Sequence, residues 1–390
     1  MSVVRLWLAN QLLRDRGGHH YGYNLAIADA ARGSGMRPEL VVHRDFREAV
    51  PEGAGLHRLF RTDFRANPPA WIAGRARLLR WLDAWCARRF AGDLARFPAT
   101  AAADVVFAQM LAPRHFLRWL FWLGQRPDAP TLFLHLGYRP ERFSGECIRH
   151  ALDSIPSGKR PILVSDSEKL CTAFGDVLGA PVHYLPHILS YDIPLNTRAG
   201  GGPLNVFVPG NARREKGFLE TVGAARAVLA SAEAARFRFT IQCHNPDLAC
   251  AGRVADWQEA VPGIDWIDRP LDDAEYLERL AGADIVLLPY HLDCYAARTS
   301  GIFTEARAAG IPVLTTRGSW AGDRVEREGG GWLAPEREAQ ELAAVLASAR
   351  ASWTKVKAEA VSIAPVAKAE FERGNFMREL QALARGGNAS

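Results

Sequence analysis

Pro209-Gly210-Asn211-Ala212-Arg213-Arg214-Glu215-Lys216-Gly217 sets three cations between two glycines, at the junction of an apolar run and a helical stretch. Glycine lets a ligand approach the backbone, fixed cations offset phosphate charge, and a helix start offers unbonded N–H groups at its positive end. The segment therefore has the chemistry of a pyrophosphate anchor, with a solvated polar turn as its local alternative. Lys216 is the single lysine between Lys169 and Lys355, where the other cations are arginines, which points to a use for an ammonium. A second segment, residues 290–301, carries Asp293, Arg298, Thr299, Ser300 and Gly301 and opens a helical stretch at 302–309. Thr299 or Ser300 can cap that helix, and Gly301 leaves its first amides open to a phosphate beside Arg298. Glu305 falls little more than one turn further on, where two carboxylate oxygens can accept from the paired hydroxyls of a ribose. An acid near a helix start is also favoured by the macrodipole without any ligand.

In the first half, Gly17-Gly18-His19-His20 precedes a helical stretch and offers backbone amides to a diphosphate, although Gly-Gly pairs are common in turns. His135 ends the apolar run 131–134 and is followed by Gly137, so its imidazole stands at a strand's carboxyl end. A histidine there can donate to a sugar hydroxyl or to developing charge; as a lone residue it is more often structural. Cys243, His244 and Cys250 are metal-ligand types without a second pair at finger spacing, and no Asp-x-Asp pair suits a catalytic ion, so no metal is expected.

The elements that position these residues follow from periodicity. An apolar run at 3–9, glycine punctuation, a helical stretch at 25–31 and a second run at 39–43 make a βαβ unit. Strand candidates recur at 104–108, 131–135, 162–165 and 182–185. Linker chemistry follows at 186–203, ending in Gly200-Gly201-Gly202-Pro203. Strands near 204–208, 237–242, 264–267, 284–289 and 312–316 then alternate with helices around 217–234, 272–282, 301–309 and 338–359. Two doubly wound parallel α/β sheets are predicted, and in such sheets ligands lie beyond the strands' carboxyl ends.

A chain of 390 residues exceeds one usual core, which agrees with two domains: 1–190, 191–364, and a helical segment at 365–390 packing back on the first. Residues 1–190 hold 25 Arg and Lys against 17 acids, the remainder 23 against 26, so the basic half suits an anionic partner or carries ordinary solvated arginines. Six scattered cysteines without a C-x-x-C pair indicate reduced cytoplasmic thiols. The apolar start is short and broken by Arg5, so it reads as a strand and not a signal peptide, and no run approaches a membrane span. Residues 57–97 interleave nine arginines with Trp71, Trp81 and Trp85, and 114–126 add Phe116, Trp119, Phe121 and Trp122. Such a mixture suits a membrane interface or single-stranded nucleic acid; a core-facing aromatic stripe with a wet arginine face is the leading reading.

Taken in order, these segments resemble the retaining GT-B glycosyltransferases of family four (glycosyl transferases group 1). Gly17-Gly18 with Leu25-Ala26 and Ala30 is similar to the family's glycine loop and first helix, Thr131–His135 to its strand ending in an active-site histidine, and Leu185-Pro186-His187 to the approach to its hinge. Gly210 with Glu215-Lys216-Gly217 is similar to its donor-phosphate motif, and Ser300-Gly301-x-x-x-Glu305-Ala306-x-x-x-Gly310-x-Pro312-Val313 to its most specific element. The resemblance implies two Rossmann-like doubly wound domains facing each other across a cleft, the GT-B arrangement. It implies that a sugar moves from a nucleoside diphosphate sugar, UDP by prior, to a hydroxyl of a saccharide or lipid-linked saccharide, with retention and without a metal or cofactor. His135, Lys216 and Glu305 would be catalytic, and Gly17, Gly18, Gly210, Asn211, Arg213, Arg214, Lys216, Arg298, Thr299, Ser300, Gly301 and Glu305 would bind the donor.

Two departures stand out. Asn211 replaces an arginine usual in the family, so Arg213 or Arg214 would substitute for it. Ala297 stands where the family's first paired acid belongs, so either Asp293 reaches in or Arg298 marks a variant site. The expected setting is polysaccharide biosynthesis in the cytoplasm, with peripheral contact to an anionic inner membrane face; nucleic acid is not the expected partner. A nucleotide-sugar epimerase and a noncatalytic sugar-nucleotide binder of the same fold are the alternatives.

Overall fold

A computed structural model describes residues 3–16, 19–61, 76–137, 140–247, 250, 256, 258–259, 261–335 and 338–387. The chain forms two compact units, Met1–Tyr191 with Glu372–Ser390, and Asp192–Phe371. Gly17 and Gly18 lie outside the described residues, as does Trp71.

The first unit is built on strands β1 (Arg5–Asn10), β2 (Arg37–His43), β3 (Gly55–Phe60), β4 (Val105–Ala108), β5 (Thr131–His135), β6 (Ile162–Ser165) and β7 (Val182–Tyr184). They pair in parallel in the order β3-β2-β1-β4-β5-β6-β7. The order reverses between β1 and β4, the crevice at which doubly wound sheets take ligands. Strands β4 and β6 are buried along their whole length, as near-continuous apolar runs require when helices cover both faces. Helix Arg373–Gly387 belongs to this unit: Phe376, Met377 and Leu380 join its core, with the Phe376 ring edge-on to Phe107 at 5.9 Å.

The second unit repeats the plan with β8 (Leu204–Val208), β9 (Phe237–Gln242), β10 (Ile264–Ile267), β11 (Ile285–Leu288), β12 (Val313–Thr316) and β13 (Gly331–Ala334). All pairs are parallel, in the order β10-β9-β8-β11-β12-β13, so the reversal falls between β8 and β11. Both doubly wound sheets are as the alternation of runs predicts. Leu204, Phe239, Ile241, Ile285, Leu287 and Leu314 are buried in one core, each worth about 1.5–3 kcal/mol relative to exposure.

Helix Ala339–Phe371 is longer than the 338–359 expected, because it continues through Pro365. Its Lys357 donates to the carbonyls of Asn196 (2.8 Å) and Gly310 (2.9 Å) and to Asn196 Oδ1 (3.2 Å). Burial pushes that ammonium down to about 8, and the three oxygens compensate it. The hub ties the segment after Asp192 to the turn that ends helix Gly301–Ala308, and so fixes the helix on which the second candidate segment sits.

Candidate functional site

The two chemistry-bearing segments of the second unit leave the sheet from β8 and β11, adjacent strands at its reversal point. After β8 the loop is pinned on both sides. Gly210 N–H donates to Gln242 Oε1 (2.7 Å), Ala212 N–H to the His244 carbonyl (3.1 Å) and Arg214 N–H to Asp247 Oδ2 (2.7 Å), while His291 N–H donates to the Glu215 carbonyl (3.0 Å). Gly217, at φ +70°, presses against the loop after β11: a Cβ there would stand 2.0 Å from the Pro289 carbonyl oxygen. Any side chain at 217 would force the two loops apart.

Gly210 has φ +109°, and a Cβ on it would lie 2.6 Å from Lys216 Nζ and 3.5 Å from Ile302 Cδ1. The glycine, the ammonium and the first turn of helix Gly301–Ala308 are thus immediate neighbours. Gly210's own N–H is already used by Gln242, so the residue contributes space and not an amide. A small cavity here is lined by Gly210, Asn211, Lys216, Gln242, Leu287 and Tyr290.

Lys216 is half-buried and makes no hydrogen bond or ion pair at Nζ among the described residues. Burial pushes its ammonium down to about 8, reinforced by Arg213 and Arg298 and opposed by Glu215. Glu215 lies between those two arginines, its Oε1 3.8 Å from a guanidinium nitrogen of each. Arg298 also lies over the Tyr295 ring at 5.2 Å, and Tyr295 stacks on Tyr290 at 4.1 Å. Three cations converging on one carboxylate leave a surplus of positive potential. That surplus suits a multiply charged anion.

Ser300 caps the helix, accepting from Phe303 N–H at 3.3 Å, with its hydroxyl 2.8 Å from that of Tyr290. Thr299 is half-buried just before it. Because Ser300 is held this way, what the helix can offer a ligand is its first-turn amides at Gly301 and Ile302, which have no carbonyl one turn back. Glu305 is 8% exposed and accepts a hydrogen bond from the Tyr276 hydroxyl. That bond fixes one carboxylate oxygen.

Gly210, Arg213, Lys216, Arg298 and the Ser300-Gly301 helix start therefore come together, with Asn211 on the cavity wall. Arg214 is exposed, its backbone bound to Asp247, and Asp293 is exposed with its carboxylate 3.9 Å from His291 Nδ1. His135 belongs to the first unit, 3% exposed at the end of β5.

Gln242, Glu215 and Tyr276 are parts of the arrangement that local sequence reading misses. Glu215 was legible only as a motif letter, and Tyr276 lies on helix Asp273–Ala281, 29 residues from its partner, with no local signal linking them.

No protein-family model matches the chain. A 93-residue stretch, 23% of the chain, is 40% identical to the amylovoran biosynthesis glycosyltransferase AmsK of Erwinia amylovora, and the match spans 22% of that protein, about a fifth of its length. Solved structures align over nearly everything. HepE of Anabaena in complex with UDP and glucose matches at TM-score 0.66 and 15% identity, covering 97% of this chain and 98% of that one. Sucrose-phosphate synthase of Thermosynechococcus elongatus matches at TM-score 0.70 and 15% identity, with 99% of each chain covered. A glycosyltransferase of Rickettsia africae matches at 0.67 and 12%, again with 99% of each covered. The chain has the GT-B fold. Within this GT-B protein the β8 and β11 exits form the electropositive corner, and the carboxylate of Glu305 stands one helical turn behind it.

Proposed function

We propose that the protein is a glycosyltransferase that takes a sugar from a nucleoside diphosphate sugar to a hydroxyl of a saccharide or lipid-linked saccharide, with retained anomeric configuration and no metal ion. The observation that carries this reading is the meeting of Lys216 with Gly210 and the first turn of helix Gly301–Ala308 at the switch point of the second sheet. An ammonium, Arg213, Arg298 and helix amides act on the departing diphosphate, where negative charge grows as the glycosidic bond to phosphate breaks. Of the two arginines open for that role in the loop, geometry favours Arg213, and Arg298 is the better candidate than Asp293 for the variant position. Glu305, set by Tyr276, would hold the ribose. HepE was solved with UDP and glucose, and AmsK is an amylovoran biosynthesis glycosyltransferase; both support a nucleotide-sugar donor and a polysaccharide setting for this chain.

The test is incubation of the purified protein with UDP-, GDP-, ADP- and CDP-sugars and a panel of saccharide acceptors, following nucleoside diphosphate release and product anomer by NMR. Transfer from one donor, persisting in chelator and giving the donor's anomeric configuration, is expected. Conversion of the donor into its epimer, or binding without turnover on any acceptor, would replace the reading with one of its two alternatives.

A lipid-linked acceptor would bring the protein to a membrane. Helix Ala76–Leu94 exposes Leu78, Trp81 and Trp85 at helical spacing, Trp81 at 60%, with Arg77 and Arg88 exposed on the same side. Trp119 and Trp122 of helix Pro113–Gly124 are buried, so the core-stripe reading describes that helix, except at exposed Phe121. Among the described residues no helix is long and apolar enough to cross a bilayer. Flotation with phosphatidylglycerol vesicles is expected to recover the protein, and Trp81→Ser with Trp85→Ser to lower recovery several-fold. Equal recovery of both proteins, or none with anionic lipid, would remove the membrane from the account.

A further inference from the structure

The first unit holds a cluster that the donor site does not use. Asp166, directly after β6, is 9% exposed and lies between two imidazoles. His135 Nε2, at the end of β5, is 3.8 Å from Asp166 Oδ1, and His187 Nδ1, beyond β7, is 3.7 Å from Oδ2. Both separations are ion-pair distances, longer than a formed hydrogen bond. His135 Nδ1 and Nε2 and His187 Nδ1 are all buried without a hydrogen-bond partner among the described residues. Buried polar atoms are rarely left so, and the unmet nitrogens of His135 point to a ligand or to closure of the cluster.

Stacking holds both rings in place. His135 lies nearly parallel to Phe107 at 5.8 Å and His187 to Tyr23 at 5.2 Å. The main chain is fixed as well, since Leu111 N–H donates to the His135 carbonyl (3.2 Å) and the Ser165 hydroxyl to that of Leu136 (2.7 Å). The rings therefore have little freedom except in where their protons sit.

We propose that Asp166 is a positioning residue that fixes the tautomers of both histidines, His135 with its proton on Nε2 and His187 with its proton on Nδ1. Neutral His135 then presents Nδ1 as an acceptor, and the ligand class it fits is a neutral hydroxyl, which on the glycosyl-transfer reading is that of the acceptor saccharide. Asp166 supplies the charge that orders both rings. Burial alone would raise its carboxyl, but the two imidazoles beside it outweigh burial and hold it well below the usual carboxylate range. Tyr23 and Cys171 are titratable groups coupled to Asp166. Burial, with Asp166 adding, raises the Tyr23 phenol, and burial pushes the Cys171 thiol up to about 12. Both stay neutral across the working range.

The experiment is two-bond 1H–15N correlation on protein labelled in histidine, run on the wild type, Asp166→Asn and His187→Gln from pH 5 to 9, with turnover measured alongside. In the neutral rings of the wild type, His135 is expected as the Nε2–H species and His187 as the Nδ1–H species, the form less common in water. Asp166→Asn is expected to mix the tautomers and to cut kcat about tenfold or more while donor KM changes less than about twofold. His187→Gln is expected to leave His135 as Nε2–H. Wild-type His187 protonated on Nε2, or identical tautomers in Asp166→Asn, would overturn the proposal. Expected tautomers with unchanged turnover in Asp166→Asn would also overturn it, by removing the hydroxyl role. If the wild type transfers no sugar, the glycosyl-transfer reading fails separately, and the wild-type spectrum still decides whether Asp166 sets the two rings.

Discussion

Lys216→Met is expected to weaken binding of the preferred nucleoside diphosphate by about 10- to 100-fold, the loss of one or two hydrogen bonds from a charged donor at about 1.5–3 kcal/mol. The ammonium makes no ion pair or hydrogen bond among the described residues, so its removal loses only its longer-range attraction to Glu215 in the resting protein. Its lowered titration point also means that burying the charge opposes folding below a pH of about 8, a cost that fades as the pH rises through 8 toward the ordinary lysine range. The variant should therefore melt no lower than the wild type near neutrality. The same shift sets the pH dependence. Wild-type affinity should be full below about 8 and fall as the pH rises beyond it, because only the protonated amine attracts the diphosphate, and binding takes up a proton where the amine is neutral. Calorimetry from pH 7 to 10 checks this. A variant with the same downward slope as the wild type would place the titrating cation elsewhere.

Glu305→Ala should discriminate where Lys216→Met does not. It is expected to weaken a ribonucleoside diphosphate by about tenfold or more and to leave inorganic pyrophosphate within about twofold, since on the proposed reading the carboxylate would hold the ribose hydroxyls and not phosphate. The 2′- and 3′-deoxy nucleotides should lose part of this affinity in the wild type and little more in the variant. Glu305→Ala leaves the Tyr276 hydroxyl without its acceptor, so Tyr276→Phe is the control: it removes the orienting bond and keeps the carboxylate. A smaller loss in Tyr276→Phe, less than additive with Glu305→Ala, identifies the pair as one unit. Equal weakening of pyrophosphate by Glu305→Ala would mean that the substitution disturbs the helix start and not the ribose.

The fold was largely legible because its information is local and repeated. Strands buried on both faces read as uninterrupted apolar runs, and β5, β6, β8, β9 and β10 match their runs residue for residue. The two strands missed lie at sheet edges. Strand β3 carries His57 and Arg58 in a half-exposed edge and reads as the start of a basic stretch, while β13 begins inside Gly329-Gly330-Gly331, which reads as a turn. The extension of helix Ala339–Phe371 was hidden by Pro365, whose usual effect is to end a helix.

The candidate site was legible in its motif residues and not in their supports. Glycine, lysine and a capped helix start each have a local reason to be noticed. Gln242 on the Gly210 amide, Tyr276 on Glu305 and Asp166 between two histidines act across strand exits, where chain separation removes any local pattern. The choice between Arg213 and Arg214 was likewise a matter of loop geometry, which sequence order cannot give.

A crystal structure of the protein with a bound nucleoside diphosphate decides whether the corner between the β8 and β11 exits is the donor site. Both phosphates are expected within hydrogen-bonding distance of Lys216 Nζ and of the Gly301 and Ile302 amides, with the ribose on Glu305. Phosphates bound elsewhere on the chain, with Lys216 left untouched, would contradict it.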